Sequence, residues 1–185
     1  MKNFDREDLS FSLCGLNCSL CTMQLDGYCP GCGGGAGNQG CAMARCSMER
    51  GHYQYCFECG AYPCDKYNGI TEYDSFITHR KQLSDMKKAA LKGLPFYHAE
   101  LEEKAIVLKY LLKNYNDGRR KTFFCLAINL LEITDIQTIV KQIESEILED
   151  TPVKQKALAA VRCFENFAEQ KKITLKLNKL PKKSK

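Results

Sequence analysis

Ten of the twelve cysteines in this 185-residue chain lie close together, between residues 14 and 64. They are Cys14, Cys18, Cys21, Cys29, Cys32, Cys41, Cys46, Cys56, Cys59 and Cys64. Three pairs among them have C-x-x-C spacing, namely Cys18/Cys21, Cys29/Cys32 and Cys56/Cys59. This spacing lets one tight turn direct two sulfurs at one metal ion, about 2.3 Å from each sulfur when the ion is zinc. The pattern therefore predicts metal binding, with all ten thiols as candidate ligands.

The number of thiols bears on the number of ions. Two four-cysteine sites need eight sulfurs, so ten thiols are enough for two zinc ions, and we expect two. How the sulfurs are grouped cannot be read from their order. His52 lies between Cys46 and Cys56 and could replace one sulfur, but because the thiols already suffice we interpret it as a surface or structural histidine.

An iron–sulfur cluster is the main alternative, because it also uses four thiolates. Cys14, Cys18 and Cys21 have the C-x3-C-x2-C spacing of radical S-adenosylmethionine enzymes, but the chain that follows is too short and too helical for their large barrel. Disulfides require an oxidising compartment. The N-terminal stretch MKNFDREDLSFSLCG lacks the apolar core of an export signal, which predicts a cytoplasmic protein with reduced thiols.

The elements that must position these thiols fall into two kinds. Residues 12–68 are rich in Cys and Gly and poor in Leu, Ile and Val, so we expect bound metal rather than an apolar core to fold them. Residues 71–175 have helical periodicity, and residues 176–185 form a basic tail that we expect to be flexible. The predicted fold is mainly α: a small, irregular, metal-held cysteine-rich N-terminal module followed by a four- to five-helix bundle.

Specific signals mark the helices of the bundle. Thr71 with Asp74 resembles a capping box that would open the first helix. The run TFFCLAINLL (122–131) is apolar nearly all round and predicts a buried central helix containing Cys125. We expect Cys125 and Cys163 to be small buried hydrophobes, and His79 and His98 to be solvated. Thr134 and the Thr151–Pro152 pair predict the starts of two later helices.

Charge and motifs limit the function. Residues 1–70 carry five Lys/Arg and seven Asp/Glu, a formal −2, and the remainder carries a formal +7. The cysteine-rich part is therefore a poor match for nucleic acid, which proteins bind by neutralising phosphates. A nucleic-acid-binding or thiol-sensing role, the latter through Cys125 near the basic run GRRK (118–121), is the second alternative. The sequence contains no catalytic triad, phosphate loop or dinucleotide fingerprint, which favours a non-enzymatic role, and no run of apolar residues is long enough to span a membrane.

The cysteine order resembles a known family. The segments CGLNCSLC, CPGC and CFECGAYPC, together with Cys41 and Cys46, resemble the cysteine frame of small prokaryotic proteins grouped as a cysteine-rich domain of unknown function and regarded as zinc-binding. NYNDGRRKTFFCLAINLL is similar to members of that family with a C-terminal extension. The resemblance implies metal binding and supplies no reaction. An interaction with an unidentified protein partner is the role we expect, and no oligomeric state is predicted.

Overall fold

The computed structural model describes residues 3–35 and 40–181, and they are mainly helical. Their α-helices are α1 Thr22–Leu25, α2 Ala42–Arg50, α3 Gln82–Lys92, α4 Leu94–Asn114, α5 Lys121–Leu130, α6 Ile133–Glu146 and α7 Val153–Gln170. Isolated bridges join Asp5 to Gly34 and Phe11 to Asn17, but the described residues form no β-strand. The prediction of a mainly α protein is confirmed. Within the same residues, no helix combines the length and apolar character that a membrane crossing requires.

The chain forms two compact units. The first comprises Met1–Leu101 and Leu177–Lys185, and the second comprises Glu102–Lys176. The bounds of these units differ from those of the predicted domains (12–68, 71–175 and 176–185). Helix α3 and the C-terminal residues belong to the same unit as the cysteines. A division of the chain into compact units does not test whether each part folds independently. The predicted domains therefore stay a prediction.

The cysteine-rich segment has a small apolar core, contrary to the expectation from its composition. The buried cluster of the first unit consists of Phe4, Leu13, Met43, Ala44 and Tyr67. Phe11 and Leu20 are also fully buried, and the Phe11 ring lies 4.6 Å from that of Tyr97 in α4. Burying a large apolar side chain contributes roughly 1.5–3 kcal/mol, so metal is not the only source of stability available to residues 12–68.

The second unit has a conventional helical core. Every residue of α5 from Phe124 to Leu130 is buried, as the apolar run predicts. The stripes that the two later helices bury are Ile136, Ile139 and Ile143 in α6 and Ala157, Ala160, Val161 and Phe164 in α7. The Phe124 and Phe164 rings meet edge to face, with centroids 5.9 Å apart. Cys125 and Cys163 are both buried, as predicted.

The predicted start of the first helix after the cysteine-rich segment is wrong. Residues 71–79 are irregular and α3 begins only at Gln82, because the Asp74 carboxylate is engaged elsewhere. The Asp74 Oδ1 atom accepts hydrogen bonds from the Thr78 hydroxyl at 3.0 Å and from the His79 backbone N–H at 2.8 Å. Such local side-chain bonds compete with helix formation. His79 is half-buried rather than solvated, with Nε2 3.0 Å from the Ser75 hydroxyl.

The beginnings of two later helices are also displaced. Glu132, not Thr134, is the N-cap of α6, and Pro152 is the N-cap of α7 rather than its first helical residue. The Thr134 carbonyl instead accepts a hydrogen bond from the Thr138 hydroxyl inside the helix. Displacements of one or two residues at helix ends leave the apolar faces unchanged.

Part of the predicted flexible tail is held by hydrogen bonds. The Asn178 backbone N–H donates to Asp74 Oδ2 at 2.8 Å, and the Asp74 N–H donates to the Asn178 carbonyl at 2.7 Å. The Asn178 side-chain amide also donates to the Glu72 carbonyl, and the Lys179 ammonium to the Ser75 carbonyl. Residues 178 and 179 are therefore structured. Residues 182–185 of the predicted tail lie outside the described residues.

Candidate metal centre

Glycines set the path of the cysteine loops. Gly15, directly after Cys14, has φ +98°, and a Cβ atom there would lie 2.2 Å from Met86 Cγ on α3. Gly31, inside CPGC, has φ +99°, and its Cβ would lie 2.5 Å from the Leu9 carbonyl oxygen. Only glycine allows both the left-handed backbone and the close approach. These two residues therefore hold Cys14, Cys29 and Cys32 against the rest of the unit.

All twelve cysteines are free thiols. Of the ten candidate ligands, Cys41 is exposed and the other nine are half-buried. Reduced, partly buried thiols are what a thiolate-bound metal requires, whereas a disulfide framework would have paired them.

Cys14, Cys18 and Cys32 form the deeper group of thiols. Burial raises the pKa of the Cys14 thiol to about 12, although the Ser12 hydroxyl at 3.3 Å opposes the rise. Burial likewise raises the pKa of Cys18 to about 12, and the nearby sulfurs of Cys32 and Cys14 add to it. The sulfurs are thus close enough for their charges to interact. A bound metal ion would reverse this effect, because a coordinating thiol is deprotonated outright.

Cys21 lies at the edge of this group. Burial raises its pKa, while the backbone N–H groups of Met23 and Gln24, at the start of α1, donate hydrogen bonds to its sulfur and oppose the rise. A neighbouring Cys29 sulfur adds to the rise. Cys21 and Cys29 are therefore neighbours in space, and amide donors stand ready to stabilise a thiolate at Cys21.

A second group of thiols surrounds a cavity. Its members are Cys46, Cys56, Cys59 and Cys64. Burial raises the pKa of Cys56 to about 11, with the Tyr67 hydroxyl opposing the rise and the sulfurs of Cys64, Cys46 and Cys41 adding to it. The Tyr67 hydroxyl also lies 3.3 Å from the Cys14 carbonyl oxygen. Tyr67 and Cys41 therefore lie between the deeper group and the cavity group.

A buried cation accompanies the thiols. Arg6 is only 7% exposed, and its Nη1 donates to the carbonyls of Cys32 at 3.2 Å and Asp8 at 2.9 Å. Its Nη2 is buried and has no hydrogen-bond partner among the described residues. Burial raises the pKa of the Cys32 thiol, and the Arg6 guanidinium opposes that rise. A buried, incompletely satisfied guanidinium is costly unless negative charge lies beside it, and metal-bound thiolates would supply that charge.

The donor atoms are not assembled into a finished site. Across the described part of the chain, no three His, Cys, Asp or Glu side chains form a group that could hold a metal ion. Their chemistry nevertheless fits a thiophilic ion, because reduced sulfurs influence one another's pKa and a buried cation lies beside Cys32. His52 is exposed, with φ +56° in the turn after α2, in agreement with its interpretation as a surface residue.

A polar network that no sequence motif indicates lies beside the thiols. The Tyr55 hydroxyl donates to Asp8 Oδ2 at 2.7 Å, and His98 Nε2 lies 3.4 Å from each of these two oxygens. Burial raises the Asp8 pKa, but hydrogen bonds from Ser10, Tyr55 and Phe11 outweigh it and leave the pKa below its ordinary value. His98, predicted to be solvated, is therefore half-buried and linked to the segment that precedes Cys56. The spacing of these residues in the sequence does not indicate the contact.

The basic run before α5 forms a capped turn. Asn116 Oδ1 accepts the backbone N–H groups of Gly118 at 3.1 Å and Arg120 at 2.9 Å, and Asp117 Oδ1 accepts that of Arg119 at 3.0 Å. The Arg120 Nε atom also lies 3.7 Å from Asp117 Oδ1. These hydrogen bonds hold the run as a turn between α4 and α5.

Comparisons with family models, curated proteins and solved structures found no match for this chain. The resemblance to the cysteine-rich prokaryotic family consequently stays a prediction, resting on the ten-thiol order and on the run NYNDGRRKTFFCLAINLL.

Proposed function

We propose that this protein binds zinc through the cysteines of its first unit and uses the metal structurally, as a module that contacts another protein. One observation carries the proposal: ten free thiols converge on one compact unit, where a buried arginine lies beside Cys32. Without a metal, that arrangement buries thiols beside one another and leaves the Arg6 Nη2 atom without a hydrogen-bond partner among the described residues. With thiolate-bound zinc, each of these groups has a partner.

The ligand types favour a structural role. Zinc sites filled by four protein ligands hold a fold together, whereas catalytic sites keep one position open for water or substrate. The positive charge of bound zinc would keep the thiols ionised. The ion would also link loops that contain few apolar residues. Each zinc with four thiolates has a net charge of −2, which the Arg6 guanidinium partly offsets.

A protein partner is the interaction that the surface supports. Tyr28, Phe76, Leu91 and Phe96, all in the first unit, are each more than half exposed. Large apolar side chains give a partner surface to bury. Two zinc ions on eight thiolates would add −4 to the formal −2 of residues 1–70, which opposes contact with phosphates.

Metal identity can be tested directly. The full chain is produced in medium containing both iron and zinc and purified without oxygen, and its metal and acid-labile sulfide are measured. We expect a colourless protein with about two zinc ions per chain. A brown protein with visible absorption and stoichiometric sulfide would instead establish the iron–sulfur redox alternative. A folded protein without metal would contradict both.

Cysteine variants provide matched controls. Replacing Cys18, Cys21, Cys29, Cys32, Cys56 or Cys59 by serine should reduce the bound metal or the soluble yield. Cys163→Ser removes a buried thiol from the second unit and should leave the metal content unchanged. Equal loss of metal in both kinds of variant would show that stability, not ligation, was being measured.

A further inference from the structure

The cavity group of thiols opens toward charged residues. One part of the cavity has a volume of about 170 Å³ and is lined by Cys46, Cys59 and Cys64 together with Arg50, Ala61, Asp65 and Lys66. Cys56 lines the adjoining, narrower part together with the same three thiols. The four nonthiol residues of the wider part are all exposed, so that part reaches the protein surface.

Two cations at this cavity lack partners within the described part of the chain. Arg50 is the last residue of α2, and Lys66 lies in the short 3₁₀ turn Asp65–Tyr67. Among residues 3–35 and 40–181, neither side chain makes an ion pair or a hydrogen bond. With the single carboxylate of Asp65, these side chains have a formal charge of +1, and a zinc ion held by four thiolates would bring the sum to −1. Arg50 and Lys66 are therefore the groups at the mouth of the cavity that can bind a carboxylate and reduce the repulsion that an anion meets there.

The deeper group differs in access. Cys14, Cys18 and Cys32 line neither part of the cavity. Cys14 and Cys32 pack against the buried apolar cluster, as do Cys56 and Cys64, so the two groups differ in whether they line the open cavity. A ligand from solution can therefore approach the cavity group more easily than the deeper group.

We propose that Cys46, Cys56, Cys59 and Cys64 form an exchangeable zinc site, from which Arg50 and Lys66 recruit a small carboxylate-bearing chelating anion that takes the metal. This inference rests on the proposed zinc binding. Each thiolate that releases zinc keeps its electron pair and takes a proton from water, while a carboxylate oxygen of the incoming anion forms the new bond to the ion. No oxidation or reduction occurs. The deeper group keeps its ion.

Metal release from the zinc-loaded full chain tests this site. Zinc loss is followed after addition of EDTA, which is an anionic polycarboxylate, or of TPEN, a neutral pyridyl chelator. With EDTA we expect two phases, one ion leaving at least about tenfold faster than the other. Cys59→Ser should abolish the fast phase, whereas Cys18→Ser should retain it.

The charge pair is tested without removing a ligand. Arg50→Gln combined with Lys66→Gln should slow the fast phase with EDTA by about threefold to tenfold and leave the rate with TPEN within about twofold, since steering acts only on the charged chelator. Added salt should reduce the difference in EDTA rate between the wild type and the double variant, because it screens the two cations. The matched control is Lys87→Gln with Lys92→Gln, which removes two exposed charges from α3 and should change neither rate.

The outcomes separate the two proposals. A single phase for both ions, or an Arg50/Lys66 variant that responds to EDTA like the wild type, would overturn the exchange site while leaving zinc binding intact. A chain that never acquires zinc would overturn both. If Cys59→Ser is insoluble, the charge-pair variant decides, because all four thiols remain.

Discussion

Replacing Arg6 by methionine should destabilise the first unit strongly. The Arg6 guanidinium donates to three backbone carbonyls: those of Gln54 at 2.8 Å, Asp8 at 2.9 Å and Cys32 at 3.2 Å. It also lies 5.0 Å from the centroid of the Tyr55 ring. Methionine matches much of the arginine stem in length and apolar character but provides no donor, so the substitution leaves these carbonyls without their partner.

The expected magnitude follows from those contacts. A buried acceptor that loses its partner costs about 1–3 kcal/mol, and the contact with an aromatic face about 0.5–1 kcal/mol. Counting the two shorter bonds and the ring, we expect the free energy of unfolding to fall by about 2.5–7 kcal/mol. Relief of the buried, unpartnered Nη2 moves the value toward the lower end. Even so, this is a large share of the roughly 5–15 kcal/mol that stabilises a typical domain.

Urea unfolding of the zinc-loaded chain measures the effect, with near-UV circular dichroism of tyrosine as the signal and zinc content determined in parallel. The control is Arg162→Met, which removes an exposed arginine from α7 and should change stability by less than about 0.5 kcal/mol. Arg6→Lys keeps the charge but loses the forked geometry and should fall between the two. An Arg6→Met protein with wild-type stability and full zinc content would refute the role assigned to this guanidinium.

Three further predictions concern the C-terminal contacts, acid and the second unit. A stop after residue 176 removes Asn178 from Asp74 and should lower stability by about 2–3 kcal/mol, whereas a stop after Leu180 should not; equal stabilities would show that the contact is unimportant. Burial raises the Asp74 pKa, but bonds from Asn178, His79 and Thr78 and the nearby Arg80 charge leave it below its ordinary value of 3.8, so its stabilisation is complete above about pH 4 and disappears as pH falls further. Asp74→Asn should therefore show a weaker loss of stability below pH 4 than the wild type in urea titrations, and parallel curves would contradict this. Cys125→Ser should leave the metal content unchanged while lowering the thermal midpoint, and a loss of zinc would contradict its assignment to the core.

Residues with a strong local signal were predictable. The unbroken apolar run in α5 could be satisfied only by burial on all sides, so the helix and the burial of Cys125 followed from the sequence. The C-x-x-C spacing likewise predicted tight turns, and Gly31 of CPGC has the positive φ value that such a turn uses.

Contacts between residues distant in sequence were not predictable. Asp74 matched a capping box, but its carboxylate meets a backbone N–H supplied 104 residues later, at Asn178. The acidic residues next to Arg6 in the sequence suggest a solvent-exposed segment, but its hydrogen-bond partner Gln54 is 48 residues away. The His98 contact with Asp8 is of the same kind. Periodicity and spacing indicate the local conformational preference of the chain. These hydrogen bonds instead depend on which distant residues the fold brings together.

The pairing of Asp74 with Asn178 has a consequence for biosynthesis and for work with fragments. During translation, Asp74 leaves the ribosome long before Asn178, so the first unit can acquire its complete set of hydrogen bonds only after the whole second unit has been made. A fragment ending at residue 101 would carry every candidate metal ligand yet lack the donor for Asp74. Adding a short peptide that corresponds to residues 177–181 should complement such a fragment in trans.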